Sequence, residues 1–438
     1  MNALALLEPF YPRSLEIFWP ILIEGSLVAV SLGLIGCFLV VRGMALLGDA
    51  LSHSVLPGIV IGFVIGGSLQ SPWILVGATA IGLAAALLVQ TVHSQSRVKE
   101  DASLAIIFTT MFAIGVVLVS SDAIVGQADL DPGCVLYGNL ESFIVDRDAI
   151  WPMVFITAGL IVLLLVFYRQ LLVSTFDPAM AISLGIPAVF IHYAMMTALS
   201  LTIVASFEAV GAILAVALLI MPGATARLWT DRMPTMLLLA GVHGIVSTVG
   251  GYWLSHESIQ NTSAAGGISV AGFVLFLASW LLAPHHGLLV RMRQRRQLAK
   301  VMAIENLVKT IDEIAPHAGA AAAGERVADE LRMPEAMLRR TIDAGQRAGL
   351  LERIGTGLRL SERGQRRAGT LRRAHELWEQ YLQHEVGLEA DHVHDAAEWI
   401  EHHLSEEKLD RIDEILKKSA STGSPGEPGQ PTPAPPAQ

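Results

Sequence analysis

Residues 42 to 62 read Arg-Gly-Met-Ala-Leu-Leu-Gly-Asp-Ala-Leu-Ser-His-Ser-Val-Leu-Pro-Gly-Ile-Val-Ile-Gly. An aspartate and a histidine stand inside a run that otherwise has the composition of a membrane helix, where ionisable groups are costly. Asp49 and His53 are four apart, so on a helix they share a face about one turn apart, and Pro57 extends the same stripe. Pro57 has no N–H to give, so the carbonyl of His53 loses its helical partner and is free to face a cavity. A carboxylate, an imidazole and a released carbonyl on one lysine-free stripe suit a way-station for a divalent cation. The plainer alternative is a polar pair that glues two helices together.

Around this stretch the chain divides into two solvents. It is 53% hydrophobic with a mean hydropathy of +0.52, too apolar for a soluble protein, yet its charges concentrate after residue 290. The net charge of −10 averages a membrane half with an aqueous half and describes neither. Cys37 and Cys134 are the only cysteines, which excludes a disulfide framework, and there is no CxxC for zinc or redox chemistry. The N-terminus lacks a basic segment and a small-residue cleavage site, so the first apolar run is expected to remain as a span.

Apolar runs lie at about 17–41, 43–68, 72–93, 103–120, 149–168, 188–205, 209–226, 235–254 and 264–283. They predict eight or nine transmembrane helices. The run 209–226 is short, ends in Met-Pro-Gly and is expected to be broken or re-entrant. If the runs alternate, Arg97, Lys99, Arg169, Arg227, Arg232 and the cluster Arg291 to Lys300 fall on one side, the cytoplasm. The loop Ser121 to Asp148 is then outside. Its acidic residues, Asp122, Asp129, Asp131, Glu141, Asp146 and Asp148, either concentrate cations at an entrance or merely solvate a loop. Glu208 opens an apolar helix and reads as a cap or a gate. His93, His192 and His243 have no partner at three or four residues and read as helix–helix hydrogen bonders.

Three words carry a resemblance. Leu47 to Gly58, Cys134 to Glu141 and Phe207 to Arg227 resemble, in order, the signature of membrane permeases of bacterial ABC importers for manganese, zinc and iron. The resemblance covers about residues 15 to 290. It implies a subunit of the bacterial inner membrane that moves a divalent metal inward, manganese first, or zinc or iron, with the metal as substrate and no tightly bound cofactor. It implies a second permease subunit, the same or homologous, ATP-binding subunits below and a metal-carrying solute-binding protein outside. It also implies that Phe176 to Pro187, where Ala181, Leu184 and Gly185 fit the family's pattern, is the coupling helix docked into the ATP-binding subunit. The chain contains no G-x-x-x-x-G-K-[ST], so ATP hydrolysis belongs to another polypeptide and the chain is not expected to be an enzyme. Nor is there an HExxH for an intramembrane metalloprotease.

After a basic juxtamembrane linker at 291–300 the period becomes that of soluble amphipathic helices. Helices near 301–314, 324–331 and 334–348, with a turn at Arg332 and Met333, have helix-turn-helix spacing, and 351–360 can form a hairpin wing. Arg339, Arg340 and Arg347 would suit DNA, but Glu335 and Asp343 share their helix. Residues 361–418 follow as a helical unit, and Ser419 to Gln438, rich in Pro, Gly and Ser, is expected to be disordered. His375 with Glu379, and His394 with Glu398, Glu401 and His402, step along helical faces that could offer metal ligands. This part, from Val301 to about Leu416, resembles the manganese- and iron-dependent repressor family. That resemblance implies a cytoplasmic winged-helix and metal-sensor or dimerisation domain. Glu398 stands where iron-responsive members carry cysteine. Asn306 and Lys309 stand where manganese members carry carboxylates. The fold class expected is therefore an all-α polytopic membrane protein with this domain at its C-terminus. The competing reading is a membrane-tethered, metal-dependent DNA-binding regulator.

Overall fold

The computed structural model describes residues 12–44, 46–67, 71–121, 140, 150–255, 263–315, 322–355, 357–388, 393, 397, 400, 402 and 404–422. The outer-loop acidic residues, and Cys134 to Gly138 of the second signature word, lie outside them. The chain divides into two compact units, Met1–Arg291 and Met292–Gln438, described separately.

In the first unit α1 (Pro12–Arg42) is followed by α2 (Leu46–Ser54), α3 (Leu56–Gly66), α4 (Pro72–Gln95), α5 (Glu100–Val119), α6 (Ile150–Val166), α7 (Tyr168–Phe176), α8 (Pro178–Ser183), α9 (Ala188–Trp229), α10 (Met233–Ser255) and α11 (Ala264–Leu282). Among the described residues eight helices are long and apolar enough to cross a membrane, with α9 counting twice, as Ala188–Phe207 and Ala209–Trp229. A ninth results if α6 and α7, bent by 73° at Phe167, count as one span. Val55 separates α2 from α3 at near-helical angles (φ −78, ψ −10), and the two together make one span of 21 residues. The proline at 57 therefore interrupts the bonding without folding the chain back.

α1 is the centre of this unit. Val28, Leu32, Phe38 and Leu39 are almost wholly buried. A Cβ added to Gly36 would stand 1.8 Å from the carbonyl oxygen of Leu219, so the backbones of α1 and α9 touch. Between apolar helices in lipid, this close approach replaces the hydrophobic drive available in water. The same contact explains a departure from the sequence reading. The run 209–226 does not end at Met221-Pro222-Gly223; α9 continues to Trp229. Pro222 removes one donor, but Gly223 lies against the backbone of Cys37, and this packing holds the helix through the proline. The break in α9 falls instead at Gly211, whose φ of 70 and ψ of 169 are open to glycine and costly for other residues.

Most of α12 (Leu288–Ile314) belongs to the second unit, followed by β1 (Ala322–Ala323), α13 (Gly324–Leu331), α14 (Glu335–Arg347), β2 (Leu351–Ile354), β3 (Gly357–Leu360), α15 (Glu362–His384) and α16 (Glu406–Thr422). Helix formation begins at Leu288, so the basic stretch 291–300 is helical; it is built of Arg, Gln, Leu, Ala, Met and Lys, all good helix formers. β2 and β3 form an antiparallel hairpin with Leu351 opposite Leu360, and β1, a strand with no signal in the sequence, pairs with β3. Leu307, Val308 and Ile311 of α12 pack with Val327, Leu338, Leu351, Leu358 and Leu360. Ser361 caps α15 by accepting from the Gly364 N–H at 3.1 Å. The last helix runs to Thr422, past the expected boundary at 418, because Lys417 pairs with Asp413 one turn earlier and Ser and Ala are tolerated in a final turn.

Candidate functional site

α2 buries Leu47, Gly48, Leu51, Ser52 and Ser54 and turns Asp49 and His53 the other way. Their side chains are 53% and 32% exposed, and Nε2 of His53 stands 3.7 Å from Oδ1 of Asp49. Two ligands about 2.1 Å from one metal are separated by roughly 3.6 Å when they subtend about 120°. The pair can thus grip one ion between them without a change of rotamer. Among the described residues no group of three or more His, Cys, Asp or Glu could hold a metal; Asp49 and His53 stand as a pair, both partly exposed. Two phenyl rings of α5 flank the imidazole. Phe108 lies 5.5 Å from it at a tilt of 52°, and Phe112 lies 5.7 Å away, edge-on at 82°.

At the end of α1, Arg42 Nη2 donates to Ser174 Oγ at 3.1 Å and Nε donates to Thr175 Oγ1 at 3.3 Å. Nη1 meets Nδ1 of His192 at 3.4 Å, so His192 does bond across helices. His93 instead bonds the carbonyl of Val98 nearby in sequence, while His243 meets Ser247 of its own helix and the backbone of Gly272 on α11. α7 leads directly into α8. Asp177 between them accepts from the Met180 N–H at 2.8 Å, an N-cap. α8 buries Ala181 completely and exposes Met180 by 53%, Ile182 by 63% and Leu184 by 59%. Gly185 ends the turn at φ 75, and its N–H donates to the carbonyl of Ile182. Of the three residues singled out by sequence, Ala181 anchors, Gly185 terminates and Leu184 is presented; Met180 and Ile182 join Leu184 on the exposed apolar surface. Glu208 belongs to α9, three residues before the break at Gly211, and its side chain lies outside the described part.

In the second unit His375 Nε2 and Glu379 Oε1 are 3.0 Å apart. His394, Glu398 and Glu401 lie outside the described residues. Nδ1 of His402 is 2.7 Å from Oε2 of Glu305, while Oε1 of Glu305 accepts from Arg367 Nε at 2.9 Å. Burial alone would raise the Glu305 carboxyl; hydrogen bonds from His402 and Arg367, with the arginine's charge, outweigh it and hold the group below its ordinary value. Sequence reading missed Glu305 because its neighbours Asn306 and Lys309 occupied the expected ligand positions. Those two line a cleft of about 520 Å³ with Asp312, Arg372, His375 and Glu376. Arg372 is paired to Asp312 at 2.9 Å. The described donors thus form protein–protein pairs rather than a ligand cage, and a lysine ammonium shares their cleft. They do not by themselves fit a bound metal.

Residues 14–283 match the ABC 3 transport family, and residues 361–424 match the iron dependent repressor, metal binding and dimerisation domain. The first match spans more than half the chain, which belongs to the ABC 3 transport family. The manganese transport system membrane protein MntC of Halalkalibacterium halodurans is 42% identical over 265 residues, 60% of this chain and 87% of that protein. MntD of Bacillus subtilis, another manganese transport system membrane protein, is 40% identical over 288 residues, 64% of this chain and 97% of its own length. Among solved structures, PsaBC from Streptococcus pneumoniae in complex with Fab is similar with a TM-score of 0.57 at 30% identity, covering 65% of this chain and 98% of that one.

Proposed function

We propose that the chain is the permease subunit of an ABC importer for divalent transition metals, manganese first among them, and that the ion passes between Asp49 and His53. The observation that carries this reading is the convergence of His53 Nε2 and Asp49 Oδ1 at 3.7 Å on an open face of the helix. One carboxylate and one imidazole suit Mn, Fe or Zn and leave most of a coordination sphere to be filled. A second permease subunit, identical or homologous, supplies the facing pair, and a solute-binding protein delivers the ion from outside. ATP is hydrolysed on a separate subunit, into which α8 docks through Met180, Ile182 and Leu184, and alternating access follows from closure of those subunits. The second unit is cytoplasmic in this reading. Residues 301–360 are a winged helix-turn-helix and 361–418 a dimerisation-type helical domain that modulates transport; DNA contact is not required of it.

Uptake of manganese into vesicles reconstituted with permease and ATP-binding subunit tests the path. Asp49→Ala and His53→Ala each abolish uptake while the complex still assembles, since each removes a ligand and little core volume. Normal transport by both variants would overturn the assignment.

A further inference from the structure

We infer that Phe108 and Phe112 are selectivity residues of the ion path: they dry one flank of His53 and fix its ring, so that an ion must exchange water for imidazole to pass. This rests on the path reading above. The two phenylalanines are one helical turn apart on α5, and both rings lie against the imidazole of His53. One phenyl is tilted and the other edge-on to the imidazole, with centroids 5.5 and 5.7 Å away. Rings crossed in this way restrict rotation of the imidazole, and the conformation they hold keeps Nε2 directed at Asp49. The register of α5 is itself held. A Cβ on Gly115 would stand 2.8 Å from Leu56 Cβ, so α5 lies close against the start of α3.

The chemistry follows from what the phenyl rings lack. They carry no hydrogen-bonding group, so water lost from an ion on this side is replaced only by the imidazole nitrogen and the carboxylate. Magnesium dehydrates reluctantly and calls for near-octahedral oxygen ligands, and calcium calls for six to eight oxygens. Manganese, iron and zinc accept imidazole readily. Phe112, 40% exposed, extends this dry wall to the exposed side of the pair, where an arriving ion meets it first. Neither Asp49 nor His53 alone makes this discrimination, because a hydrated pair would also hold a magnesium aquo ion through its waters.

The test uses the full permease with its ATP-binding subunit in vesicles and measures manganese uptake against rising magnesium or calcium. Phe108→Ser and Phe112→Ser each lower the magnesium concentration that halves manganese uptake by about ten-fold, close to 1.4 kcal/mol of lost discrimination. The half-saturating manganese concentration rises as well. Phe108→Leu and Phe112→Leu keep an apolar wall without a ring and lose about three-fold; they decide the matter if the serine variants do not fold. Unchanged magnesium and calcium competition in the folded variants would overturn the inference. Asp49→Ala in the same assay separates the two levels: if it transports normally the path reading fails, whereas if it is dead and the phenylalanine variants remain selective, only the role of the rings fails.

Discussion

The guanidinium of Arg42 donates to the hydroxyl of Ser174 at 3.1 Å, joining the last residue of α1 to a helix 132 positions away. Arg42 stands immediately before the turn that enters α2, and Ser174 stands three residues before the cap of α8. One hydrogen-bonded side chain therefore bridges the segment that carries Asp49 and His53 and the segment that presents Leu184. Arg42→Gln removes the charge and most of the donors but leaves a polar chain of similar reach. Metal uptake is expected to fall about ten-fold while ATP hydrolysis by the assembled complex falls less than two-fold, with Arg42→Lys intermediate. Equal losses of uptake and hydrolysis would show a general folding defect instead. Parallel assays on the same vesicles give the ratio.

Leu184 is 59% exposed beside the fully buried Ala181, an apolar knob on an anchored base. A charge at its tip would have to be desolvated on docking. Leu184→Glu should weaken association with the ATP-binding subunit by ten-fold or more, about 1.4 kcal/mol, without changing the stability of the isolated permease. Co-purification and transport-linked ATP hydrolysis that both survive the substitution would move the docking site elsewhere.

The approach of His53 to Asp49 was legible in the sequence because its geometry is local. Four residues apart on one helix is a distance that spacing alone encodes. The rings of Phe108 and Phe112 beside His53, and the bond from Arg42 to Ser174, are tertiary pairs that no short period marks. The break at Gly211 was hidden by an apolar run continuing on both sides of it. Met-Pro-Gly looked like an end because the close approach of Gly223 to Cys37 has no sequence signal beyond the glycine itself. In the second unit the helices and hairpin followed from amphipathic period and glycine turns. Glu305 did not, because its role depends on Arg367 and His402 arriving from other parts of the chain.

Glu305 is 8% exposed in its side chain, and Arg367, its partner, is 33% exposed. Glu305→Gln leaves a guanidinium facing a neutral amide and weakens the contact with His402. Because the arginine retains part of its hydration, the loss is smaller than for a wholly buried pair, about 2 kcal/mol. The expected outcome is a lower melting transition of the second unit, followed by hydrogen exchange within α12 and α15, while exchange in α1 and α9 is unchanged. Protection in α12 and α15 that matches the parent would mean the pair contributes little.

Lys309 supplies the last test, because it lines the cleft that also holds Asn306 and His375, at a position where repressor relatives are expected to carry a carboxylate. A fixed ammonium repels a divalent cation. At about 4 Å and an effective dielectric near 20, two unit charges interact by roughly 4 kcal/mol before desolvation, enough to remove tight binding. Glu305 of α12 meanwhile meets Arg367 of α15 and His402 by direct bonds, a connection that needs no ion. The second unit is therefore expected to fold without metal and to bind Mn(II) more weakly than the repressors it resembles. Titration calorimetry on the full chain carrying Asp49→Ala, which removes a carboxylate of the proposed path, measures the second unit. Lys309→Glu combined with Asn306→Asp should then tighten Mn(II) binding by a hundred-fold or more, about 2.7 kcal/mol. Submicromolar affinity before those two changes, or no gain after them, would contradict the electrostatic account of this cleft.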